Sequence, residues 1–422
     1  MRIALLTGLF PVLWETPFLN QITGLIERGH EVDIYADQAQ PGVPAHPDIA
    51  RLRLLDRTRY PLSLPRSHRG RWSEAVRFIQ AHRGADRAAL LRTLNPFLFW
   101  KRAVSLDQLR RTAPFLPRRS YDICYCPFTQ DARKSLRLRR LGVLGGKLVV
   151  ALRGSDISRY IAQRGKHVYR RLFREGDLFL PVCQAFAGRI ARLGCSPTKI
   201  AVHHTGINLS RFPFRPRQLP SDGKLRLVTV GRLVEKKGIE YALRAVRQLS
   251  DDGLDVSYEI VGDGPLKRQL EHDVEQMGLG SRVHFCGWKT QSQVQQALER
   301  ADVLLAPCVT AADGDEEGIP NVLREGMAAG MPVIGSNHSG IPELIDDGIN
   351  GYLVPERDPG ALAERVRRLA AAPGVWLPLI TAARRRVEQD DIEKLNNRFV
   401  GLLEGLLANE KTVPTLRISF TG

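Results

Sequence analysis

Twice along this 422-residue chain, apolar runs of strand length alternate with helix-periodic segments, and the proline-rich stretch 212–223 (FPFRPRQLPSDG) divides the two series. This arrangement constrains the fold more than any other feature. A strand, a helix and a second strand in succession favour a parallel pair joined by a right-handed crossover. Helices then cover both faces of the sheet, so its strands read as continuous apolar runs. In the first series the runs are 2–7, 31–36, 122–126, 147–152 and 177–182, with helices at 17–28 and about 185–193. In the second they are 225–230, 258–261, 283–285, 303–306, 332–335 and 351–354, with helices at 238–250, 266–277 and 291–300. The expected fold is α/β, two Rossmann-like doubly wound parallel-sheet domains facing a cleft, over 1–215 and 220–390. Residues 391–422 complete it with a helix, 392–407, returning toward the first domain, and a tail from 408 expected to be poorly ordered. The length exceeds what one core supports. Ligands in such sheets bind outside the carboxyl ends of the strands.

Residues 51–120 break the rhythm and read as a helical insertion. They hold seventeen Arg and Lys against four acids, most of the chain's net charge of +17. Trp72, Phe78, Phe97, Phe99 and Trp100 are interleaved among them. Basic, aromatic-studded surface suits an anionic membrane. A solvated basic face and a nucleic-acid surface are the other readings, and no recognisable nucleic-acid module accompanies the charge. The six cysteines form no CxxC pair and no zinc spacing with histidine, which fits a reducing compartment. The N-terminal apolar run reads as a buried strand rather than a signal peptide, and no segment reaches the roughly 18 apolar residues of a membrane span.

Four segments carry candidate chemistry. In 315–330 (DEEGIPNVLREGMAAG), Glu317 and Glu325 are separated across a Gly318-Ile319-Pro320 turn, with Pro320 in the first turn of a helix running to about Ala329. Proline suits a helix start, and the helix N-terminus with its preceding loop offers amides to diphosphate oxygens. Glu325 can accept hydrogen bonds from a ribose diol, and Glu317 can hold hydroxyls of a sugar. Spacing alone equally describes an ordinary helix with surface acids. In 230–238 (VGRLVEKKG), Arg232 and Lys237 follow the strand end at Gly231 and are placed to converge on one diphosphate. In 260–265 (IVGDGP), Gly262 and Gly264 form a tight strand-to-helix turn expected beside a nucleotide, and Trp288 is a candidate neighbour of its base. In 336–343 (SNHSGIPE), Ser339 and Gly340 permit close backbone approach to phosphate. The DxD of Asp313 and Asp315 lies in an acidic loop and reads as solvated charge. GVLGGK at 142–147 lacks the spacing and hydroxyl of a P-loop.

Together these segments, with Arg28-Gly-His-Glu-Val32, His204-Thr-Gly-Ile-Asn208 and Ser339-Gly-Ile-Pro-Glu343, resemble the family 4 retaining glycosyltransferases of the GT-B fold over nearly the whole chain. The acidic loop running into Glu317 looks most like the exopolysaccharide transferases of the colanic-acid and amylovoran type. The resemblance implies that Arg232 and Lys237 bind the donor diphosphate, that Glu325 binds ribose and that Glu317 contacts the donor sugar. Two positions depart from it. Glu15 and Thr16 stand where many members carry a Gly-Gly loop, and Arg153-Gly-Ser-Asp156 stands where many carry a histidine. Arginine is no base at neutral pH, so Arg153 and Asp156 are expected on the acceptor or anion-binding side.

The expected activity is transfer of a hexose, with retention, from a UDP- or GDP-sugar to a polyprenyl-diphosphate-linked or other saccharide acceptor. No metal or other cofactor and no nucleic acid is expected to take part. The expected location is cytoplasmic, at the inner face of the cell membrane through residues 51–120. The alternatives are an epimerase or phosphorylase on the same fold, or a non-catalytic anion- or nucleic-acid-binding protein.

Overall fold

The computed structural model describes residues 1–11, 16–39 and 46–408, with the backbone alone at Thr16 and Pro17. Two six-stranded sheets organise them, each parallel throughout. The first contains β1 (Arg2–Leu9), β2 (Glu31–Gln38), β3 (Thr58–Arg59), β4 (Ile123–Cys126), β5 (Lys147–Leu152) and β6 (Leu178–Pro181), in the order β3-β2-β1-β4-β5-β6. The second contains β7 (Leu225–Val230), β8 (Val256–Val261), β9 (Val283–Gly287), β10 (Val303–Ala306), β11 (Val333–Ser336) and β12 (Tyr352–Val354), in the order β12-β11-β10-β7-β8-β9. Both orders are those of a doubly wound fold. The winding reverses between β1 and β4 in one sheet and between β7 and β10 in the other, which places a crevice at each switch point.

The apolar runs form strands because both their faces are covered. Ile3 and Ala4, Cys124 and Ile123, and Leu148 and Val149 are successive residues on opposite faces, and all are fully buried. One departure from the expected pattern is β3, a two-residue edge strand inside the segment read as helical. A Thr-Arg pair beside β2 has no apolar run to announce it. Helices occupy much of the rest of that segment, over His68–Ala81, Gly84–Thr93, Pro96–Phe99, Lys101–Val104 and Asp107–Thr112, while 60–67 and 116–120 are irregular.

The halves are tied together at several points. In the 212–223 segment, the amides of Arg215 and Arg217 donate to the carbonyls of Ala329 and Gly330 (3.2 and 2.9 Å). Gly29, at φ +79°, lets the chain leave the helix Thr16–Glu27. Arg28 beside it reaches Glu393 (2.7 Å) and Asn397 (2.8 Å) on the helix Ile392–Leu407. Phe399 and Leu403 of that helix complete the core over β1, β4 and β5. A buried pair, Arg324 with Asp390 (2.7 Å), joins the second sheet's layer to the segment leading into this helix. His204 lies 3.6 Å from Asp390 and 3.5 Å from Glu343. Burial disfavours its imidazolium, but the two carboxylates outweigh burial and hold its pKa above the ordinary value. The tail expected from 408 lies outside the described residues beyond Ala408. Among the described residues no helix is long and apolar enough to cross a membrane.

Candidate active site

The site is built on the switch point between β7 and β10. The loop after β7 (231–238) and the loop after β10 (307–320) lie side by side there. Gly238 fixes their approach: its φ is +63°, and a Cβ would fall 1.8 Å from the Pro307 carbonyl oxygen. The Val309 amide donates to the Lys236 carbonyl (3.0 Å) between the same loops. This pairing brings Lys237 Nζ to 3.0 Å from Glu317 Oε2, with Lys236 Nζ 3.7 Å away. Burial works against both charges. Glu317 nonetheless holds the Lys237 pKa above its ordinary value, and the two lysines hold the Glu317 pKa below the usual carboxylate range. Arg232, at the mouth of the β7 loop, is exposed and forms no ion pair with a described residue.

Glu325 lies on the helix Asn321–Ala329, which starts after Pro320 without a side-chain cap; the Leu323 amide donates to the Pro320 carbonyl (3.1 Å), and the amides of Asn321 and Val322 make no hydrogen bond with a described residue. Glu325 makes no hydrogen bond or ion pair with a described residue, and burial alone raises its pKa to about 7. Asn321 is exposed at the helix start and Ile319 is buried. The pair spacing that suggested one pocket thus yields unlike acids. Glu317 is neutralised within the protein, whereas Glu325 has no described partner.

Sequence reasoning missed the support beneath Glu317. The Glu317 amide donates to His338 Nε2 (3.2 Å), and His338 Nδ1 lies 2.6 Å from Glu356 Oε1. Glu356 Oε2 accepts from the Thr310 amide (2.9 Å). This chain of bonds requires the His338 proton on Nδ1, since Nε2 must accept. It joins the loops after β10, β11 and β12. A histidine in the small-residue loop 336–343 was the one signal available.

Several glycines serve packing. A Cβ at Gly262 would lie 1.9 Å from the Gly231 carbonyl oxygen, and one at Gly264 would lie 2.5 Å from that of Leu233. These residues let the β8 turn brace the β7 loop. Gly318 and Gly340 face the first sheet's loops: a Cβ would meet Val182 at 2.9 Å and Cys183 at 2.6 Å. Ser339, beside Gly340, has φ +48°. Trp288 follows β9, two strands from β7 or about 10 Å, and is half exposed.

The acidic residues before Glu317 hold the two halves together. Arg189 donates to both Glu316 oxygens (2.8 and 2.6 Å), and Ser158 Oγ accepts from the Glu316 amide (3.2 Å). Asp315 pairs with Lys236 (3.3 Å) and Asp313 with Arg159 (3.4 Å), so the DxD carboxylates are paired rather than simply solvated. Glu343 accepts from the amides of Gln184 and Ala185 (2.8 and 3.1 Å).

On the facing side, Arg153 Nη2 donates to Gln21 (2.6 Å), and its Nε is buried without a partner among the described residues. Asp156 is buried and accepts from the amides of Arg153, Gly154 and Thr129 (3.1, 3.0 and 3.4 Å). That carboxylate shapes the loop that presents Arg153. Thr16 begins the first helix, and Glu15 lies outside the described residues.

Comparison with known proteins gives the geometry a lineage. The family described as Glycosyltransferase Family 4 matches residues 15–211, and that described as Glycosyl transferases group 1 matches 224–372. The chain is 37% identical to WcaL of Salmonella typhimurium, assigned as a colanic acid biosynthesis glycosyltransferase, over 96% of this chain and 100% of that one. It is 35% identical to the amylovoran biosynthesis glycosyltransferase AmsK of Erwinia amylovora, over 92% and 96% of the two chains. Among solved structures, Anabaena HepE in complex with UDP-glucose superposes with a TM-score of 0.66 at 17% identity, covering 96% of this chain and all of that one. Sucrose-phosphate synthase from Thermosynechococcus elongatus does so with a TM-score of 0.68 at 20% identity, covering 97% and 100%.

Proposed function

Because the chain belongs to glycosyltransferase family 4, on the GT-B fold, we propose that it transfers a hexose from a nucleotide-diphosphate sugar to a saccharide acceptor with retention. The donor occupies the second sheet's domain, residues 220–390, and the acceptor that of residues 1–215. The observation that carries this reading is the charge arrangement at the β7–β10 switch point. An exposed Arg232 with no ion pair to a described residue, the largely buried Lys237 and a Glu325 carboxylate with no described partner suit the two ends of a nucleoside diphosphate, its phosphates and its ribose diol. A fold neighbour's UDP-glucose complex supports a nucleotide-sugar donor, which we propose to be a UDP- or GDP-sugar. The colanic acid and amylovoran relatives support a role in cell-surface polysaccharide synthesis, and the acceptor we propose for it is a polyprenyl-diphosphate-linked saccharide. Arg69, Arg92 and Lys101, which form no ion pair with a described residue, and the exposed rings of residues 51–120 favour an enzyme working at an anionic membrane surface, for which we propose the cytoplasmic face.

In this mechanism the bond from the anomeric carbon to the diphosphate breaks as the acceptor oxygen attacks the same face of the sugar. The acceptor proton passes to a departing phosphate oxygen. Arg232 and Lys237 offset the charge that accumulates on the leaving group, so no metal is required. Glu317 and the backbone around Gly231, Gly318, Ile319, Ser339 and Gly340 orient the donor, as does Asn321 at the helix start. Arg153 faces the acceptor side.

A panel of UDP- and GDP-sugars tests this reading, with released nucleoside diphosphate measured in the presence and absence of saccharide-lipid acceptor. Transfer should require the acceptor, and the product's anomeric coupling should match the donor's. Turnover without acceptor that only interconverts donors would favour an epimerase. Absence of calorimetric binding to both UDP and GDP would overturn the donor site.

The Glu356 support gives a smaller prediction. Glu356→Gln leaves one acceptor oxygen for two donors, the Thr310 amide and His338 Nδ1–H. Turnover should fall about tenfold, the worth of one net hydrogen bond, with thermal stability little changed. Unaltered turnover would mean that His338 does not position Glu317.

A further inference from the structure

We infer that the groove between Trp72 and Trp100 receives one hydrocarbon chain of an anionic bilayer phospholipid, so that the enzyme holds the membrane by an inserted lipid as well as by charge. This inference rests on the membrane reading above and gives it a site. The groove encloses about 450 Å³, within the range of small-molecule sites (roughly 300–1,000 Å³). Its apolar wall is Trp72, Pro96, Trp100, Val104 and Leu106, and its rim carries His68, Arg71 and Lys101. An apolar trough edged by cations matches a molecule with a hydrocarbon body and an anionic head.

The surroundings favour a lipid over a soluble acidic partner. Phe97 is 97% exposed, Trp100 75% and Val104 63%. A protein partner would have to cover these rings one by one, whereas a bilayer interface accommodates exposed aromatic side chains as a class. Arg69, Arg92 and Lys101 are exposed and form no ion pair with a described residue, which leaves them for headgroup phosphates. Nearby acids are already engaged: Glu74 with Arg77 (3.3 Å) and Asp107 with Arg111 (2.9 Å). Trp100 itself holds φ +47°, an uncommon conformation for a bulky residue, where it links the helices Pro96–Phe99 and Lys101–Val104.

The test uses the full-length protein and two probes. One is vesicles of phosphatidylcholine mixed equally with phosphatidylglycerol. The other is dihexanoyl-phosphatidylglycerol below its micelle concentration, a single lipid able to enter a groove without a bilayer. Val104→Phe fills the groove from an exposed position and leaves every cation in place. The wild type should bind the monomeric lipid, binding should weaken with added salt, and the variant should lose about tenfold in affinity while still sedimenting with vesicles. Equal affinity of wild type and variant for the monomeric lipid would overturn the groove. So would vesicle binding without any monomer binding, although it would leave the membrane reading standing. Binding to neither probe would remove both. Binding of polyglutamate in preference to either lipid would assign the surface to an acidic protein.

Discussion

Lys237→Ala should lower turnover by about 10²–10³-fold at saturating donor, the cost of losing one preorganised charge stabiliser. Two effects combine. The substitution removes a point charge from the expected position of the leaving diphosphate. It also strips Glu317 of its 3.0 Å partner, leaving Lys236 at 3.7 Å as the nearest described cation. A carboxylate so buried then repels the donor's phosphates and is itself destabilised. Arg232→Ala should cost about 10²-fold in turnover by the first effect alone. Arg232 is exposed and unpaired among the described residues, so its loss leaves no buried charge behind. The two variants therefore separate by melting temperature: Lys237→Ala should melt lower than wild type, and Arg232→Ala should melt with it. Lys237→Arg should recover part of the activity, because the charge returns with a different shape. Wild-type turnover by Arg232→Ala and Lys237→Ala together would end the diphosphate assignment.

The sheets were legible because their strands are buried on both faces. Runs such as LVVAL at 148–152 and VLLA at 303–306 have no polar alternation to confuse with an exposed strand. The edge strand β3 was not legible, since two residues without apolar character make no run. The basic insertion blurred for a related reason. Its helices carry cations on most faces, so periodicity marks them poorly. Arg232, Lys237, Glu317 and Glu325 could be singled out as candidates because each sits near a strand end or helix start in one of two short motifs, 230–238 and 315–330. His338 and Glu356 could not, because their role arises from loops after three different strands. Gly262 and Gly264 form the tight turn expected after β8, and a side chain at either would meet the β7 loop, a packing role that the glycine spacing did not announce. Asp313 and Asp315, expected as solvated charge, pair with Arg159 and Lys236, the first pair remaining half exposed, and Glu316 beside them binds Arg189, all partners distant in sequence.

Glu325 should make nucleotide binding depend on pH. Burial raises its pKa to about 7, so below neutrality the donor-free protein carries it protonated. A ribose diol donates hydrogen bonds, and the ionised carboxylate is the better acceptor. Binding should therefore release a proton near neutral pH. UDP affinity should fall as pH drops below about 7, by up to about tenfold per unit, and level off above about pH 8. The terminal phosphate of UDP also titrates, near pH 6, but it does so equally in Glu325→Gln. The difference between the two proteins isolates the residue. Glu325→Gln should bind UDP about tenfold more weakly at pH 8 and lose the additional pH dependence. Its stability should move the other way. A carboxylate whose folded pKa lies above its unfolded value of about 4.3 favours folding most when protonated. That contribution is fully present below the unfolded pKa and is lost as pH rises through about 7. Above neutrality the largely buried, ionised Glu325 costs roughly 3–4 kcal/mol, which glutamine would relieve. Glu325→Gln should thus melt higher than wild type at pH 8 and together with it near pH 4. The carboxylate is then a group that binding requires and folding tolerates. Wild-type UDP affinity that stays constant from about pH 6 to 8, or a variant that melts lower at pH 8, would show that Glu325 is not the ribose ligand or is not buried unpaired.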